Sequence, residues 1–393
     1  MRDILKNVAA NENNTKWENI ISRKNKLYAR GNDIRSDFER DYTRIIHSLA
    51  FRRMKHKTQV FFSPVNDHIC TRMEHVILVE SISETIASYL GLNTKLTKAI
   101  SMAHDIGHSP FGHKGERILS EISKRDIGKT FWHEQNGMEM VDKIILLEND
   151  KKEMENLNLT YAVKDGIISH CGEIDENGLK PREEFIDLYE YKYANQYKPY
   201  TWEACAVKIS DKIAYLGRDI EDAIRLSMLD EHLEELHELL DMDSSKPINN
   251  TVIINSLISD LCENSNEIDG LRFSDKAFEF MNKLKEFNYK YIYLDERLKP
   301  SDEYFKLILN TIYNTLKRYY SDKNYIKKVY PEITQEFEEW LKMYWNKERQ
   351  DFYKNEVILD IENEKQFCQA LIYYISGMTD NYAIDVYNKI VRF

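Results

Sequence analysis

Glycine and proline, the residues that most often interrupt helices, are scarce in this chain: 13 glycines and 7 prolines occur among 393 residues. Between them lie long stretches whose apolar residues recur at helical spacing, such as residues 37–54, 71–90 and 202–228. Without frequent chain breaks, a sequence of this kind favours helices over strands and turns. It therefore predicts a nearly all-α fold.

Helix boundaries can be assigned at several places. Thr71 followed by Glu74 has the form of a capping box at a helix start, and Gly91 suits the end of the same helix. Asn93 is an N-cap candidate for the helix that follows. The further helices predicted from periodicity cover residues 93–103, 116–124, 132–147, 161–170, 233–240, 250–264, 274–287, 303–320, 331–346 and 364–390.

Composition excludes several classes of protein. Hydrophobic residues make up 42% of the chain and charged residues 31%, which is typical of a globular protein and too apolar for a disordered one. The formal net charge of −11 argues against a general nucleic-acid coat, which needs a basic face, but still allows an anionic small molecule at a locally basic site. No apolar run approaches the ~20 residues that span a membrane, and the N-terminus lacks the apolar core of a signal peptide. We therefore expect a cytoplasmic protein without a membrane partner.

The cysteines point to the same compartment. The chain has five of them, scattered, odd in number and never in a CxxC pair. This usage is typical of a reducing cytosol and argues against a structural zinc knuckle.

We divide the chain into three parts. Residues 1–36 are polar and weakly patterned, and we expect a loosely packed N-terminal arm. Residues 37–228 contain the candidate metal-binding and catalytic residues and form the predicted core domain. Residues 229–393 are helical again, with no long linker before them, and are expected to pack on that core.

Residues 104–116 hold the densest group of reactive side chains: three histidines and two carboxylates, with three glycines and a proline between them. Nitrogen and oxygen ligands at a helix end, followed by a kinked loop, are what a metal site needs. Glycine also lets a ligand approach the backbone closely. The glycines and Pro110 predict an irregular loop that gives way to helix at about Glu116.

Four side chains form a candidate metal centre: His75, His104, Asp105 and Asp211. Taken alone, His75 is more often an ordinary histidine, and Asp211 a solvent-facing carboxylate. Together, two imidazoles and two carboxylates from three helices suit a divalent ion such as Mn, Fe, Ni, Co or Mg, and the absence of cysteine disfavours structural zinc.

A second group follows the metal candidates. His113 and Glu116 are three residues apart and share a face if that turn is helical. A carboxylate that orients an imidazole is a common arrangement for a general acid or base. His108 lies between the two groups in sequence.

At this point the sequence resembles a known family. The pattern His75, His104, Asp105 and Asp211 looks like the ligand set of the HD-domain metal phosphohydrolases. The sequence that flanks these residues is more specific, and it resembles the deoxyguanosine triphosphate triphosphohydrolase (dGTPase-like) family. The segments that carry this resemblance are residues 51–60, 71–75, 104–116, 157–160 and 377–383.

The resemblance implies an HD-domain helical bundle with extra C-terminal helices, and residues 37–228 as the phosphohydrolase core. It also implies metal-dependent hydrolysis of a deoxynucleoside triphosphate, dGTP among them, to the deoxynucleoside and inorganic tripolyphosphate, by a homo-oligomer. Mn²⁺ or Mg²⁺ is the expected ion, with Fe, Co, Ni and Zn as alternatives. The matching residues are His75, His104, Asp105 and Asp211 as metal ligands, and His113, Glu116, His108 and His133 as catalytic-site residues.

The resemblance also assigns substrate contacts. Arg72 and Lys212 match phosphate-binding residues, Tyr215 and Asp219 match residues at the deoxyribose, and Gln59 matches a residue near the 3′-hydroxyl. Arg52 belongs to a basic run that would add positive charge beside the triphosphate.

Two alternatives remain open at this level. One is a different HD-domain phosphohydrolase, acting on a nucleoside monophosphate or a cyclic or signalling nucleotide. The other is a non-catalytic nucleotide sensor or single-stranded DNA-binding module that uses the same basic pocket. An allosteric nucleotide is a further candidate partner.

Overall fold

The computed structural model describes residues 2–26, 33–62, 66–171, 176–242, 248–345 and 349–392. The predicted nearly all-α fold is confirmed, since the described residues form seventeen α-helices and one small sheet of two strands. No helix in these ranges is both long and apolar enough to cross a membrane. The α-helices are α1 (Trp17–Ile20), α2 (Asp37–His47), α3 (Leu49–Arg53), α4 (Arg72–Leu90), α5 (Thr94–Ala103), α6 (Gly112–Asp126), α7 (His133–Glu139), α8 (Tyr161–Ser169), α9 (Trp202–Arg225), α10 (Leu233–Leu239), α11 (Asn250–Asn264), α12 (Asp275–Asn288), α13 (Lys299–Ser321), α14 (Lys323–Val329), α15 (Pro331–Lys342), α16 (Glu364–Ser376) and α17 (Asp380–Val391).

Short 3₁₀ and π segments supplement these helices. The 3₁₀ segments are Met54–His56, Leu188–Glu190, Asp230–His232 and Glu296–Leu298, and the π segments are Met140–Ile144 and Tyr289–Tyr293.

The predicted caps around α4 and α5 are confirmed. Thr71 accepts a hydrogen bond from the Glu74 amide, and the Glu74 carboxylate accepts one from the Thr71 amide, which completes the capping box. Gly91 ends α4 in the left-handed region, at φ 83°. The Asn93 side chain accepts from the amide of Leu96 and caps α5. These local signals place His75 in the first turns of α4 and His104 directly after α5.

The helices that carry the predicted metal ligands are neighbours in the core. α4 packs against both α5 and α9, and α5 also packs against α2 and α8. Fully buried aliphatic side chains such as Val79, Ile86, Ile100 and Ile213 fill the space between them. The packing therefore brings the start of α4, the end of α5 and the middle of α9 to one place.

Two predicted helices are each divided in two, and a third ends early and is followed by strands. The helix expected over residues 37–54 is interrupted at Ser48, whose extended backbone and side-chain oxygen cap α3 by accepting from the Phe51 amide. The helix expected over residues 364–390 divides between α16 and α17, where Thr379 caps α17. Serine and threonine within an apolar helical pattern therefore mark new helix starts here.

The third error concerns residues 132–147. The helix ends in the π segment Met140–Ile144, and an antiparallel hairpin follows, with β1 (Leu146–Glu148) paired to β2 (Met154–Asn156). Asn149 holds the hairpin turn, because its side-chain oxygen accepts from the Glu153 amide at 2.9 Å. A turn stabilised by one asparagine gives no periodic signal in the sequence.

The N-terminal arm is packed, contrary to the expectation of loose packing. Leu5, Ala10 and Ile20 are almost completely buried. The Ala10 amide donates to the Glu203 carboxylate of α9 at 2.8 Å, and the Leu5 amide donates to the Leu90 carbonyl at 2.9 Å. Residues 2–26 are thus packed on the core and satisfy polar groups at the ends of its helices, although their sequence is polar.

The C-terminal helices pack on the element that follows the predicted loop. α13 packs against α6, α16 and α17, and the Phe305 ring of α13 stacks on Phe111 with centroids 4.3 Å apart. The boundaries proposed at residues 36 and 228 remain predictions, while the contact between the C-terminal helices and the region of residues 104–116 is direct.

The predicted loop is shorter than expected. α6 begins at Gly112 rather than Glu116 and includes Gly115, so glycine at these positions does not exclude a helix. A Cβ at Gly115 would lie 1.8 Å from the Pro110 carbonyl oxygen, which explains the glycine by close approach of two backbone segments. Phe111 enters the helix through the left-handed region, at φ 65°.

Gly115→Ala tests this close approach. We expect a loss of about 2 kcal/mol or more in the free energy of unfolding, since overpacking against fixed backbone costs ~1–3 kcal/mol. Urea unfolding of this variant should be compared with that of Glu121→Ala, an exposed site on the same helix, for which a change within ~0.5 kcal/mol is expected. Equal stability of the two variants would show that the backbone around Pro110 adapts freely.

Candidate metal centre and active site

The four predicted metal ligands meet in the core. The Nε2 atom of His75 lies 2.9 Å from Asp211 Oδ1 and 3.8 Å from Asp105 Oδ2. The Nε2 atom of His104 lies 3.6 Å from Asp105 Oδ1 and 3.8 Å from Asp211 Oδ1. Asp211 is therefore not an isolated solvent-facing carboxylate, because it points into this cluster.

The donor atoms suit a divalent cation. Two ligands bound at ~2.1–2.2 Å from one ion lie at most ~4.4 Å apart, and all four distances above fall within that limit. His104 donates from Nδ1 to the Ser101 carbonyl at 2.6 Å, which leaves its buried Nε2 without a hydrogen-bond partner among the described residues. An unpartnered imidazole nitrogen facing two carboxylates is the arrangement expected of a metal ligand.

Proton occupancy agrees with this interpretation. Burial acts to lower the pKa of His75, but the hydrogen bond and charge of Asp211 outweigh it, so that the pKa is raised. A protonated Nε2 of His75 therefore suits the 2.9 Å hydrogen bond to Asp211. A bound cation would take the place of that proton, because a ligating imidazole must be neutral.

Asp105 is a buried anion held by several partners. Arg72, which is 1% exposed, donates from Nη1 to Asp105 Oδ2 at 2.5 Å. His108 Nε2 lies 3.1 Å from Asp105 Oδ1. Burial acts to raise the pKa of Asp105, but its contacts with His104, Arg72 and His108 outweigh it and keep the pKa well below its usual value.

His170 belongs to this cluster and was missed from the sequence. Its Nε2 lies 3.7 Å from Asp105 Oδ1, and its ring lies 4.9 Å from that of His104. Like His104, it follows the last turn of an apolar helix and donates from Nδ1 to the carbonyl three residues earlier, that of Ile167, at 2.7 Å. Burial, together with His104 and His133, lowers the pKa of His170 to about 3, so the ring is neutral. The shared sequence context, a histidine directly after an apolar helix, was the available signal.

The second predicted group is centred on Glu116. Its Oε2 lies 3.1 Å from His113 Nδ1 and 3.0 Å from His133 Nδ1, while Oε1 accepts from the His133 amide at 3.0 Å. The side chain of His113 is 66% exposed, whereas Glu116 and His133 are largely enclosed. One carboxylate therefore orients two imidazoles, one of which faces the solvent side of the site.

Glu116 and His133 stabilise each other's charged forms. Burial acts to raise the pKa of Glu116, but His133 and His113 outweigh it and keep that pKa well below its usual value. Burial acts to lower the pKa of His133, but Glu134 and Glu116 raise it well above its usual value. Glu116 and His133 thus form a buried ion pair.

His108 connects the two groups. Its ring stacks on that of His133 with centroids 3.8 Å apart, and its Nε2 contacts Asp105. Burial, Arg72 and His133 lower the pKa of His108 well below its usual value, so this imidazole is neutral. The candidate metal ligands and the candidate proton-handling residues therefore form one continuous cluster rather than two separate sites.

Three predicted residues lie along one face of α9. Asp211, Tyr215 and Asp219 follow each other at intervals of four residues, which places them one above the other. Lys212 is buried beside them, at 4% exposure. Tyr293, from the π segment, donates its hydroxyl to Asp219 Oδ2 at 2.5 Å, and this contact was not predicted because the two residues are far apart in sequence.

The remaining predicted contacts have different surroundings. Arg72 donates through Nη2 to the carbonyls of Thr58 and Gln59, at 3.1 Å each, in addition to its bond to Asp105. The buried Oε1 of Gln59 has no hydrogen-bond partner within the described ranges. Arg52 is exposed in the last turn of α3 and makes no ion pair with the other site residues that the structure describes.

Asp219→Asn should remove a pH-dependent loss of stability. Burial raises the pKa of Asp219 to about 7, with Asp222 and Asp211 adding nearby negative charge. In the unfolded chain the carboxyl ionises near ~3.9, so the unfolded state releases its proton first as pH rises. The stabilising contribution is complete below about pH 4 and is lost as pH rises through about 7, at a rate of at most ~1.4 kcal/mol per unit.

Urea unfolding at about pH 4.5 and about pH 7.5 measures this effect. The free energy of unfolding should fall less over that interval in Asp219→Asn than in the wild type, because asparagine does not titrate. Asp230→Asn changes an exposed carboxylate and serves as the control. The same fall in Asp219→Asn and the wild type would place the titration elsewhere.

Comparison with known proteins adds a family assignment. The family model "HD domain" matches residues 72–216, and the model "Phosphohydrolase-associated domain" matches residues 271–389. Among solved structures, the alignment with a hypothetical protein from Aquifex aeolicus covers 89% of this chain and 71% of that protein. The sequence identity is 16% and the TM-score is 0.42, and this similarity is too low to support the assignment.

Curated relatives are considerably closer. A deoxyguanosinetriphosphate triphosphohydrolase-like protein of Caldanaerobacter subterraneus subsp. tengcongensis is 35% identical over 360 residues, which is 91% of this chain and 86% of that protein. Proteins of the same name from Clostridium tetani and Rickettsia bellii are 32% and 30% identical, each over 91% of this chain and 86% and 92% of their own lengths. These matches agree with the helical core and the histidine–aspartate cluster, and they show that the chain belongs to the deoxyguanosinetriphosphate triphosphohydrolase-like family of HD-domain proteins.

Proposed function

We propose that this protein is a metal-dependent hydrolase of deoxynucleoside triphosphates, dGTP among them, which releases the deoxynucleoside and inorganic tripolyphosphate. The observation that carries the proposal is the continuity of the site: the candidate ligands His75, His104, Asp105 and Asp211 adjoin the Glu116 group through His108. The names of the curated relatives support action on nucleoside triphosphates.

His75, His104, Asp105 and Asp211 would hold the cation, with Mn²⁺ or Mg²⁺ as the leading candidates. A set of nitrogen and oxygen donors without sulfur supports that choice over structural zinc. When bound, a divalent ion supplies Lewis-acid polarisation of a phosphoryl oxygen and lowers the pKa of water.

The Glu116 group would manage protons beside the phosphate. With its Nδ1 on Glu116, His113 has its Nε2 directed away from the carboxylate and is the accessible imidazole of the pair. It would take a proton from the attacking oxygen or give one to the leaving oxygen. His133, whose pKa is raised by Glu134 and Glu116, would act as a fixed positive charge near the developing anion.

Substrate recognition would use cations and the α9 face. A triphosphate brings about four negative charges to an acidic protein, so local cations such as Arg72 and Lys212 are required, and the exposed Arg52 would add positive charge. Gln59, Tyr215 and Asp219 would contact the deoxyribose. A tyrosine packed under the sugar would exclude a 2′-hydroxyl by contact, which favours deoxyribonucleotides.

A product assay tests the proposed function. The purified protein is incubated with each dNTP singly and with all four together, with Mg²⁺ or Mn²⁺, and the products are separated by ion-exchange chromatography. We expect deoxynucleoside and free tripolyphosphate, and lower turnover of the matching ribonucleotide. Orthophosphate or pyrophosphate would instead indicate a different HD-domain phosphohydrolase, and nucleotide binding without turnover would indicate a sensor.

The mixed-substrate arm addresses assembly and regulation. A homo-oligomer with an allosteric nucleotide site would turn over the mixture faster than the sum of the single substrates. Light scattering in the presence and absence of nucleotide measures the accompanying change in subunit number.

Two histidine variants separate the two parts of the site. His104→Ala should lose bound metal and turnover together, because it removes a buried nitrogen that faces both carboxylates. His113→Ala should retain the metal and lower kcat by ~10²–10⁴-fold, the usual range for a general acid or base. Metal analysis and steady-state kinetics are the measurements.

The matched control is His47→Ala, an exposed histidine in the last turn of α2. It should have wild-type metal content and kcat. Loss of metal in His113→Ala would move this residue into the ligand set, and retained turnover in His104→Ala would refute the four-ligand arrangement.

A further inference from the structure

Asp380, the first residue of α17, reaches the site region from the C-terminal part of the chain. Its side chain is buried, with the residue 5% exposed. Oδ2 accepts from the Thr58 amide at 2.8 Å and from the Thr58 hydroxyl at 2.6 Å. Oδ1 accepts from the Phe111 amide at 2.8 Å. One carboxylate thus joins two segments that are 53 positions apart in sequence and that flank the site.

The Thr58 side of this contact leads to the metal candidates. The Thr58 carbonyl accepts from Arg72 Nη2 at 3.1 Å, and Arg72 Nη1 donates to Asp105 at 2.5 Å. Asp380, Thr58, Arg72 and Asp105 therefore form a chain of hydrogen bonds. The orientation of Asp105 depends on Arg72, and that of Arg72 depends on where residues 58–59 are held.

The Phe111 side leads to the proton-handling group. Phe111 is the residue that enters α6, in the left-handed region at φ 65°, and His113 and Glu116 lie in the first turns of that helix. A non-glycine residue in this region needs support from its surroundings. The ring of Phe111 is held by stacking on Phe305, and its buried amide is satisfied by Asp380.

Neighbouring contacts point in the same direction. Buried Lys57 donates to the His108 carbonyl and, at 2.8 Å, to the Ser376 carbonyl at the end of α16. Asn136 donates to the Gly107 carbonyl at 2.7 Å and to the Ser376 hydroxyl at 3.3 Å. The turn between α16 and α17 is therefore tied to the loop of residues 104–111 at more than one point.

We propose that Asp380 is a positioning residue of the active site: by holding Thr58 and Phe111 together, its carboxylate sets the start of α6, and with it His113 and Glu116, relative to Arg72 and Asp105. This proposal rests on the proposed function for its kinetic readout. Asp380 itself does not touch the substrate in this role. The C-terminal helices are then part of the catalytic geometry rather than an appendage to the core.

Among the described residues, the same contact occurs at two other places, where it joins no site residues. Asp41 accepts from the amide and hydroxyl of Thr160, at 2.9 and 2.7 Å. Asp260 accepts from the amide and hydroxyl of Ser274, at 2.7 and 2.6 Å. Asp41→Asn and Asp260→Asn are therefore matched controls for the loss of such a clamp in general.

Asp380→Asn is the first test. Asparagine has one acceptor oxygen and an NH₂ group that cannot accept, so either Thr58 or Phe111 loses its partner. We expect kcat for the dNTP substrate to fall by ~10–100-fold, the cost of a small misplacement of catalytic groups, with KM and metal content close to wild type. The two control variants should keep kcat within ~2-fold even where they lose equal thermal stability.

A second pair of variants covers the case in which Asp380→Asn does not fold. Thr58→Ser keeps both donors to Asp380, whereas Thr58→Val removes the hydroxyl and keeps the shape. We expect Thr58→Ser to retain kcat and Thr58→Val to lower it. Equal kcat values for the two would overturn the proposal, as would an Asp380→Asn enzyme no slower than the controls.

Hydrogen–deuterium exchange separates this proposal from the proposed function. In Asp380→Asn, peptides covering residues 108–116 should exchange faster than in the wild type, and in Asp260→Asn they should not. If the wild type turns over no dNTP, the proposed function fails, and the exchange result still decides whether Asp380 holds this segment. Unchanged exchange in Asp380→Asn would refute the positioning role.

Discussion

The structure depends on keeping one negative charge, the Asp105 carboxylate, inside a helical core. A buried carboxylate is stable only if other groups replace its water, and here Arg72 donates to one oxygen while His108 lies at the other. His75, His104 and His170 complete the surroundings. A site already arranged around a buried anion is also suited to a divalent cation, so the same constraint organises the fold and the proposed chemistry.

The helices meet this constraint in a consistent way. His104 and His170 each follow the end of an apolar helix and bond through Nδ1 to the carbonyl three residues earlier, which directs Nε2 toward Asp105. α4 supplies His75 and Arg72, and α9 supplies Asp211, so the close packing of α4, α5 and α9 forms the centre. The C-terminal helices enter through Asp380, which ties the start of α6 to residue 58.

Local signals were sufficient for many elements. The capping box at Thr71, the glycine stop at Gly91 and the bounds of α11 were predictable because short-range hydrogen bonds and helical periodicity decide them. The errors have one cause in common: a tertiary contact or a single side chain outweighed periodicity. Ser48 and Thr379 began new helices inside apolar patterns, the helix predicted over residues 132–147 ended before a hairpin whose turn Asn149 holds, and close backbone approach allowed glycine within α6.

The helical class, the family and the chemical types at the candidate site could be inferred without coordinates, because periodicity, composition and short motifs are properties of neighbouring residues. Which distant side chains complete that site depends on how the helices pack. His170 joined the metal candidates, Tyr293 met Asp219, and Asp380 reached Thr58 and Phe111, each across a separation in sequence that carries no local signal. Such contacts arise from helix packing, and the burial and pKa of each group follow from them.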